Sequence, residues 1–124
     1  MRLSRIVLSV AGFLYALLGF LFLFAPVTMG RWILLSVPSA AAATEIRAFY
    51  GGLEVGLGAF LLYCGNRPAT VIVGLVAMTL CTGGILLGRL TGIFLDGSPE
   101  KMTLVSMIVE LFTTVTGILL LMDE

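Results

Sequence analysis

The segment RAFYGGLEVGLG, Arg47 to Gly58, sets a guanidinium and a carboxylate seven residues apart in a run that is otherwise apolar and rich in glycine. Side chains three, four and seven apart share a helix face, so Arg47, Tyr50, Gly51, Glu54 and Gly58 fall in one stripe. Two later segments repeat the pattern. LCTGGILLGRLTGIFLDG places Thr82, Arg89, Gly92 and Asp96 on one face, and the last apolar run carries Thr103, Ser106, Glu110, Thr113, Thr114 and Gly117 at the same spacing. A guanidinium offers forked donors to a carboxylate or phosphate, and a carboxylate held away from water can exchange protons near neutral pH. The candidate polar cluster is therefore Arg47, Tyr50, Glu54, Arg89, Asp96 and Glu110. Asp96 also reads as a turn residue that ends a helix in DGSP.

Several chemistries are set aside. There is no histidine, and Cys64 and Cys81 lack metal-ligand spacing, so neither a metal nor any other cofactor is expected. Both cysteines read as small buried hydrophobes, placed too far apart on their helices for a disulfide. Seven basic and seven acidic side chains cancel, which removes the basic field that nucleic-acid binding needs. With no metal set and no activated serine, only the glutamates, Tyr50 and Asp96 remain for catalysis, and the balance is against an enzyme.

The elements that must carry these residues follow from hydropathy. The chain is 60% hydrophobic and 11% charged, with a mean hydropathy of +1.16. About 20 apolar residues cross the ~30 Å hydrocarbon core of a bilayer. Four such spans fit, approximately 6–25, 44–64, 70–92 and 102–122, in one transmembrane domain over 1–124. The first run, after Arg2 and Arg5, is too long for the apolar region of a signal peptide and reads as a permanent span. Its face of Ser9, Gly12, Ala16 and Gly19 makes it the packing helix. Pro26 closes it. A connector with Arg31 and Trp32 then suits the headgroup level, Ser39 starts the second span, and GNRP makes a tight turn into the third. Gly84, Gly88 and Gly92 recur every four residues on that third span, a spacing that lets helix backbones approach closely.

The fold class is all-α: an integral membrane four-helix bundle with short loops and a surface-lying connector between the first two spans. Arg2, Arg5 and Arg67 on one side outnumber Arg31 and Lys101 on the other, which places both termini in the cytoplasm and the protein in the cell membrane.

At ~1.5 Å of rise per residue, Glu54 lies about 10 Å deeper than Arg47, Glu110 about 13 Å below Lys101, and Arg89 about 10 Å from Asp96. All lie in the outer half of the bilayer. A charge at mid-membrane costs at least ~2.5–3.5 kcal/mol, so the expected arrangement has Glu54 and Glu110 facing Arg47 and Arg89, with Tyr50 adding a hydrogen bond.

RAFYGGLEVGLGAFLL at Arg47 to Leu62, GRLTGIFLDG at Gly88 to Gly97 and a glutamate, Glu110, in the last span resemble a family of small bacterial membrane proteins catalogued as domain of unknown function 4345. The resemblance covers most of the chain. It implies a four-helix integral membrane protein and no activity, and its motif positions fall on Arg47, Tyr50, Gly51, Gly52, Glu54, Arg89, Gly92, Asp96 and Gly97. Small multidrug-resistance transporters are similar in size but carry an essential glutamate in the first helix, where this chain has none.

The leading functional expectation is a module in which the arginine–glutamate cluster binds a small polar, anionic or amphiphilic ligand from the lipid bilayer. The alternatives are a proton-coupled small transporter, a lipid-modifying enzyme, and an accessory subunit or homo-oligomer whose ion pairs are purely structural. Each implies a different partner: substrate, lipid, or a second membrane protein.

Overall fold

The computed structural model describes residues 1–124. The chain forms helix α1 (Arg2–Phe24), the short helix α2 (Pro26–Trp32), and helix α3 (Ala40–Ile46), which continues through a π-helical turn (Arg47–Gly52) into helix α4 (Leu53–Gly65). A 3-10 turn (Pro68–Thr70) leads into helix α5 (Val71–Asp96), and helix α6 (Lys101–Asp123) follows. The fold is all-α.

The boundaries have local causes. Pro26 lacks the N–H needed to prolong α1 and sits at the first position of α2, where that N–H would have no partner anyway. The Ser39 hydroxyl accepts a hydrogen bond from the Ala42 amide at 3.1 Å and caps α3, as its place before an alanine run predicts. Gly97, at φ 108°, adopts a left-handed conformation open to glycine and ends α5, its amide donating to the Ile93 carbonyl at 3.1 Å.

Four rods, Arg2–Phe24, Ala40–Gly65, Pro68–Asp96 and Lys101–Asp123, are long and apolar enough to cross a membrane. Only 20 of the 124 residues are buried within the protein, while Leu80, Phe94 and Phe112 among many others project outward. So large an outward apolar surface would drive association in water and suits a lipid surround.

The rods pack as two pairs. α1 lies antiparallel along the π-helical turn and α4, and α5 lies along α6. The first seam is built on glycine. A Cβ at Gly12 would meet the Gly58 carbonyl oxygen at 2.7 Å, one at Gly19 would meet the Gly51 carbonyl oxygen at 2.7 Å, and one at Gly65 would meet the Arg5 carbonyl oxygen at 3.0 Å. Gly51, Gly58 and Gly65 follow one another at seven-residue intervals, as do Gly12 and Gly19, the repeat that keeps a seam facing its partner in left-handed helix packing. The expectation that α1 is the packing helix holds. The glycine series expected to zip the third span does not: nothing lies within 4 Å of a Cβ built at Gly84, Gly88 or Gly92. The spacing is right there, but α6 packs on another face of α5, beside Gly83, where the Thr114 methyl would sit 3.3 Å from a Cβ.

The two pairs share an apolar core only near the chain termini. Leu8, Leu61, Cys64, Val71, Leu75, Met78 and Leu120 form it, with Tyr15 and Leu57 on its margin. Beside it the Glu124 carboxylate accepts from the Met1 ammonium at 2.6 Å and from the Ser4 hydroxyl. Those donors, the ammonium first, hold the Glu124 carboxyl below its ordinary value. This contact is complete above that ordinary value and is lost as the pH falls through the lowered one.

At the far end the connector bridges the pairs. Its Ile33 and Leu34 line a small gap together with Arg89, Met102, Thr103 and Ser106. Leu34 has φ 65°, a left-handed conformation that costs a non-glycine residue roughly 1–2 kcal/mol. Its side chain is 54% exposed, so little packing is lost on truncation. Leu34→Gly is therefore expected to raise the melting temperature slightly, the relieved strain exceeding glycine's entropic cost of roughly 0.5–1 kcal/mol. A thermal unfolding series of the detergent-solubilised protein checks this.

Candidate functional site: the polar side chains of the bundle

The π-helical turn decides where the sequence's first charge stripe points. The Leu53 amide donates to the Ala48 carbonyl five residues back, so one extra residue is held in this turn. At 3.6 residues per turn, one extra residue rotates everything beyond it by about 100°. Arg47 and Glu54, which would share a face in a straight helix, are turned apart. The turn coincides with the Gly51–Gly52 pair, the kind of place where a helix ladder loosens most readily. Gly51 is also pressed onto α1, since a Cβ there would meet Leu23 side-chain atoms at 2.7 Å.

The expected quartet is accordingly divided. Arg47 is exposed and donates to the Leu23 carbonyl near the end of α1, satisfying an acceptor of the last turn instead of a glutamate. Tyr50 makes no hydrogen bond to the charges; its ring packs on Phe22, centroids 5.3 Å apart. Asp96 is exposed at the end of α5 and has no ion-pair partner, so it belongs to the helix terminus. No charged side chain is fully buried. Of the expected contacts one forms: Arg89 Nε donates to both carboxylate oxygens of Glu110, at 2.9 and 3.1 Å, joining α5 to α6. That pair is partly shielded, the Arg89 side chain being 33% and the Glu110 side chain 13% exposed.

Glu54 takes a different position. It lies three residues before Leu57 and seven before Leu61, so it continues the face that α4 turns to the common core. One of its oxygens, Oε2, is buried and has no hydrogen-bond partner. Tyr15, from α1, is half-buried against the margin of the common core. Hydroxyls add a polar contact inside the second pair. The Thr82 and Thr114 hydroxyls lie 3.0 Å apart, and the Met78 and Glu110 carbonyls lie 2.8 and 2.7 Å from them on their own helices, so one hydroxyl donates to the other and the second donates to its own helix carbonyl. Cys64 is buried as expected, whereas Cys81 is exposed, because it points away from the face that α5 gives to the core.

Sequence reasoning did not single out Tyr15 and missed the Thr82–Thr114 contact. The signal for both was available: each lies on the small-residue or core-directed face of its own helix. The gap beside Arg89 is about 10 Å³, room for one water and far from an amphiphile. The open, ligand-sized arginine cavity expected from the sequence is thus absent in this conformation. What exists is a set of polar contacts within the second pair, Arg89 to Glu110 and Thr82 to Thr114, and a separate carboxylate, Glu54, on the core-directed face of α4.

Fold and site define a four-helix bundle of candidate membrane spans with polar contacts inside its second helix pair. The chain belongs to the family described as "Domain of unknown function (DUF4345)", whose model matches residues 3–121. No curated protein and no solved structure matches it.

Proposed function

We propose that this protein is a membrane-embedded binding module whose two helix pairs part to admit the polar head of a small amphiphile, with Glu54 as the receiving group. The observation that carries the reading is the buried, unpartnered Oε2 of Glu54. Buried polar atoms almost always have a partner, and one without is costly, at about 1–3 kcal/mol. A ligand donor would satisfy it. The arginines are already committed, Arg47 to the Leu23 carbonyl and Arg89 to Glu110. The unpartnered group is therefore the Glu54 carboxylate, an acceptor, which favours an amine or hydroxyl head over the anionic one that the sequence suggested.

The division into pairs supports access. α1 packs on α4 and α5 on α6 far more extensively than either pair packs on the other, and the shared core lies at one end. Separation at the other end leaves each pair's own seam intact.

The test is a thermal-stabilisation series in neutral detergent with dodecylamine and with dodecyl sulfate as probes. Dodecylamine is expected to raise the melting temperature of the wild-type protein, a ligand at 100 times its Kd adding about 2.7 kcal/mol, and to leave Glu54→Gln unmoved. An equal response from Glu54→Gln, or a larger one to dodecyl sulfate, would sink the reading.

Proton-linked transport is the second reading, supported by the same buried carboxylate oxygen of Glu54 that has no hydrogen-bond partner. It requires pH-driven substrate movement in proteoliposomes that Glu54→Gln abolishes, a signal that binding alone does not give.

A further inference from the structure

A groove of about 290 Å³ runs along one stripe of α1 at the end of the bundle where the termini meet, bounded by Arg2, Arg5, Ile6, Ser9 and Val10 and by the turn that follows α4. We infer that this groove binds the phosphate of an anionic phospholipid, with Arg2 and Arg5 on the headgroup and Ile6 and Val10 along the start of an acyl chain.

Three observations carry the assignment. The first is polarity along the stripe. Residues 2, 5, 6, 9 and 10 follow the spacing of a single helix face, so the groove passes from two guanidiniums through a hydroxyl to aliphatic side chains over about 12 Å of helix rise. That order matches a lipid lying beside the helix, head outward and chain inward.

The second is charge. Neither Arg2 nor Arg5 has a carboxylate within ion-pair distance, and no acidic residue lines the groove. The nearby Glu124 carboxylate is occupied by the Met1 ammonium and by Ser4, on the opposite face of α1. Arg67, on the same turn as Asn66, is likewise without an acidic partner and lies over the Tyr63 ring, 4.3 Å from its centroid. This end of the bundle thus presents three arginines unneutralised by any ion pair. Clustered basic residues at a membrane face attract anionic lipids.

The third is preorganisation. Arg5 Nε donates to the Gly65 carbonyl at 3.0 Å and a terminal nitrogen reaches the Asn66 carbonyl at 3.5 Å, which holds the side chain along the groove wall. Its other terminal nitrogen makes no hydrogen bond within the protein, and Arg2 makes none at all. Gly65 permits this approach, because a Cβ there would meet the Ser9 hydroxyl at 2.7 Å. The volume decides between a whole lipid and its head. Sites that enclose drug-sized ligands hold about 300–1,000 Å³, so this groove takes a phosphodiester head and leaves the chains to the surrounding bilayer.

The inference rests on the four helices lying in a membrane and is independent of the role proposed for Glu54. Its test counts lipids on the delipidated full-length protein in neutral detergent by native mass spectrometry, with phosphatidylglycerol and phosphatidylcholine as probes. Phosphatidylglycerol is expected to be retained in preference to phosphatidylcholine. Arg2→Gln should cut that preference about fivefold, the effect of one basic residue near an anionic surface. Arg31→Gln, at the other end of the bundle, should leave it unchanged. Because Arg5 also holds the α4 terminus, Arg2→Gln is the deciding variant, with its melting temperature confirming the fold. Equal retention of the two lipids by wild type, or an unaltered preference in Arg2→Gln, overturns the proposal. Inorganic phosphate in excess should fail to displace the lipid; displacement would overturn the lipid as the ligand. An alkaline wash of membranes carrying the protein separates the underlying assumption, since release of the chain into the supernatant would overturn the membrane reading itself.

Discussion

Arg89→Ala is expected to destabilise the protein by about 2–3 kcal/mol, read as a lower melting temperature and earlier unfolding in denaturing detergent mixtures. The reason is what remains behind. Glu110, whose side chain is only 13% exposed, would keep its charge between α5 and α6 with no donor near enough to replace the Arg89 Nε. Breaking a fully buried pair costs about 3–5 kcal/mol, and the 33% exposure of Arg89 places this pair below that range. Removing both charges is a different experiment. Arg89→Leu combined with Glu110→Leu leaves no stranded group and should recover most of the loss, as apolar replacements of buried pairs generally do. If the double variant were as unstable as the single one, the pair would be fixing the geometry of the second helix pair rather than neutralising itself.

Gly58→Ala should be at least as damaging, at about 3 kcal/mol, although it adds a single methyl group. That methyl would lie 2.5 Å from the Ala16 amide nitrogen and 2.6 Å from the Gly12 carbonyl oxygen. Both are backbone atoms of a packed helix and cannot rotate aside, so α1 and α4 must separate along their seam. Gly88→Ala makes the contrast. With nothing within 4 Å, it meets open space and gains up to about 1 kcal/mol of helix propensity. Both variants can be followed in the same unfolding assay. A Gly88→Ala loss comparable to that of Gly58→Ala would mean that the exposed face of α5 is covered in the native membrane.

The sequence was most legible where physics acts locally. Hydropathy located the four rods, Pro26, Ser39 and Gly97 marked boundaries, and the small-residue face of α1 pointed to its role in packing. The Arg89–Glu110 contact was also readable, because both residues lie on uninterrupted helices where three- and four-residue spacing keeps its meaning. Arg47 and Tyr50 were misplaced because face arithmetic assumes constant pitch, and the pitch changes within their own segment. Gly84, Gly88 and Gly92 misled for another reason. A glycine repeat says that close approach is sterically allowed, while the choice between α1–α4 and α5–α6 seams depends on which side chains must be accommodated at every other level of the bundle. Glu54 was identified as chemically unusual, but its lack of a partner emerges only from the positions of all four rods together.

The wide turn at Arg47–Gly52 separates two properties that an ordinary helix keeps as one, continuity and registry. Ile46 is buried before it and Gly51 is buried within it, five positions later, although an even pitch would swing them to well-separated sides. Trimming one amino acid here would yield a smoother, fully hydrogen-bonded cylinder that no longer meshes at both ends. The irregularity is thus a phase correction, and idealising it would disengage whichever half of the rod lost its alignment.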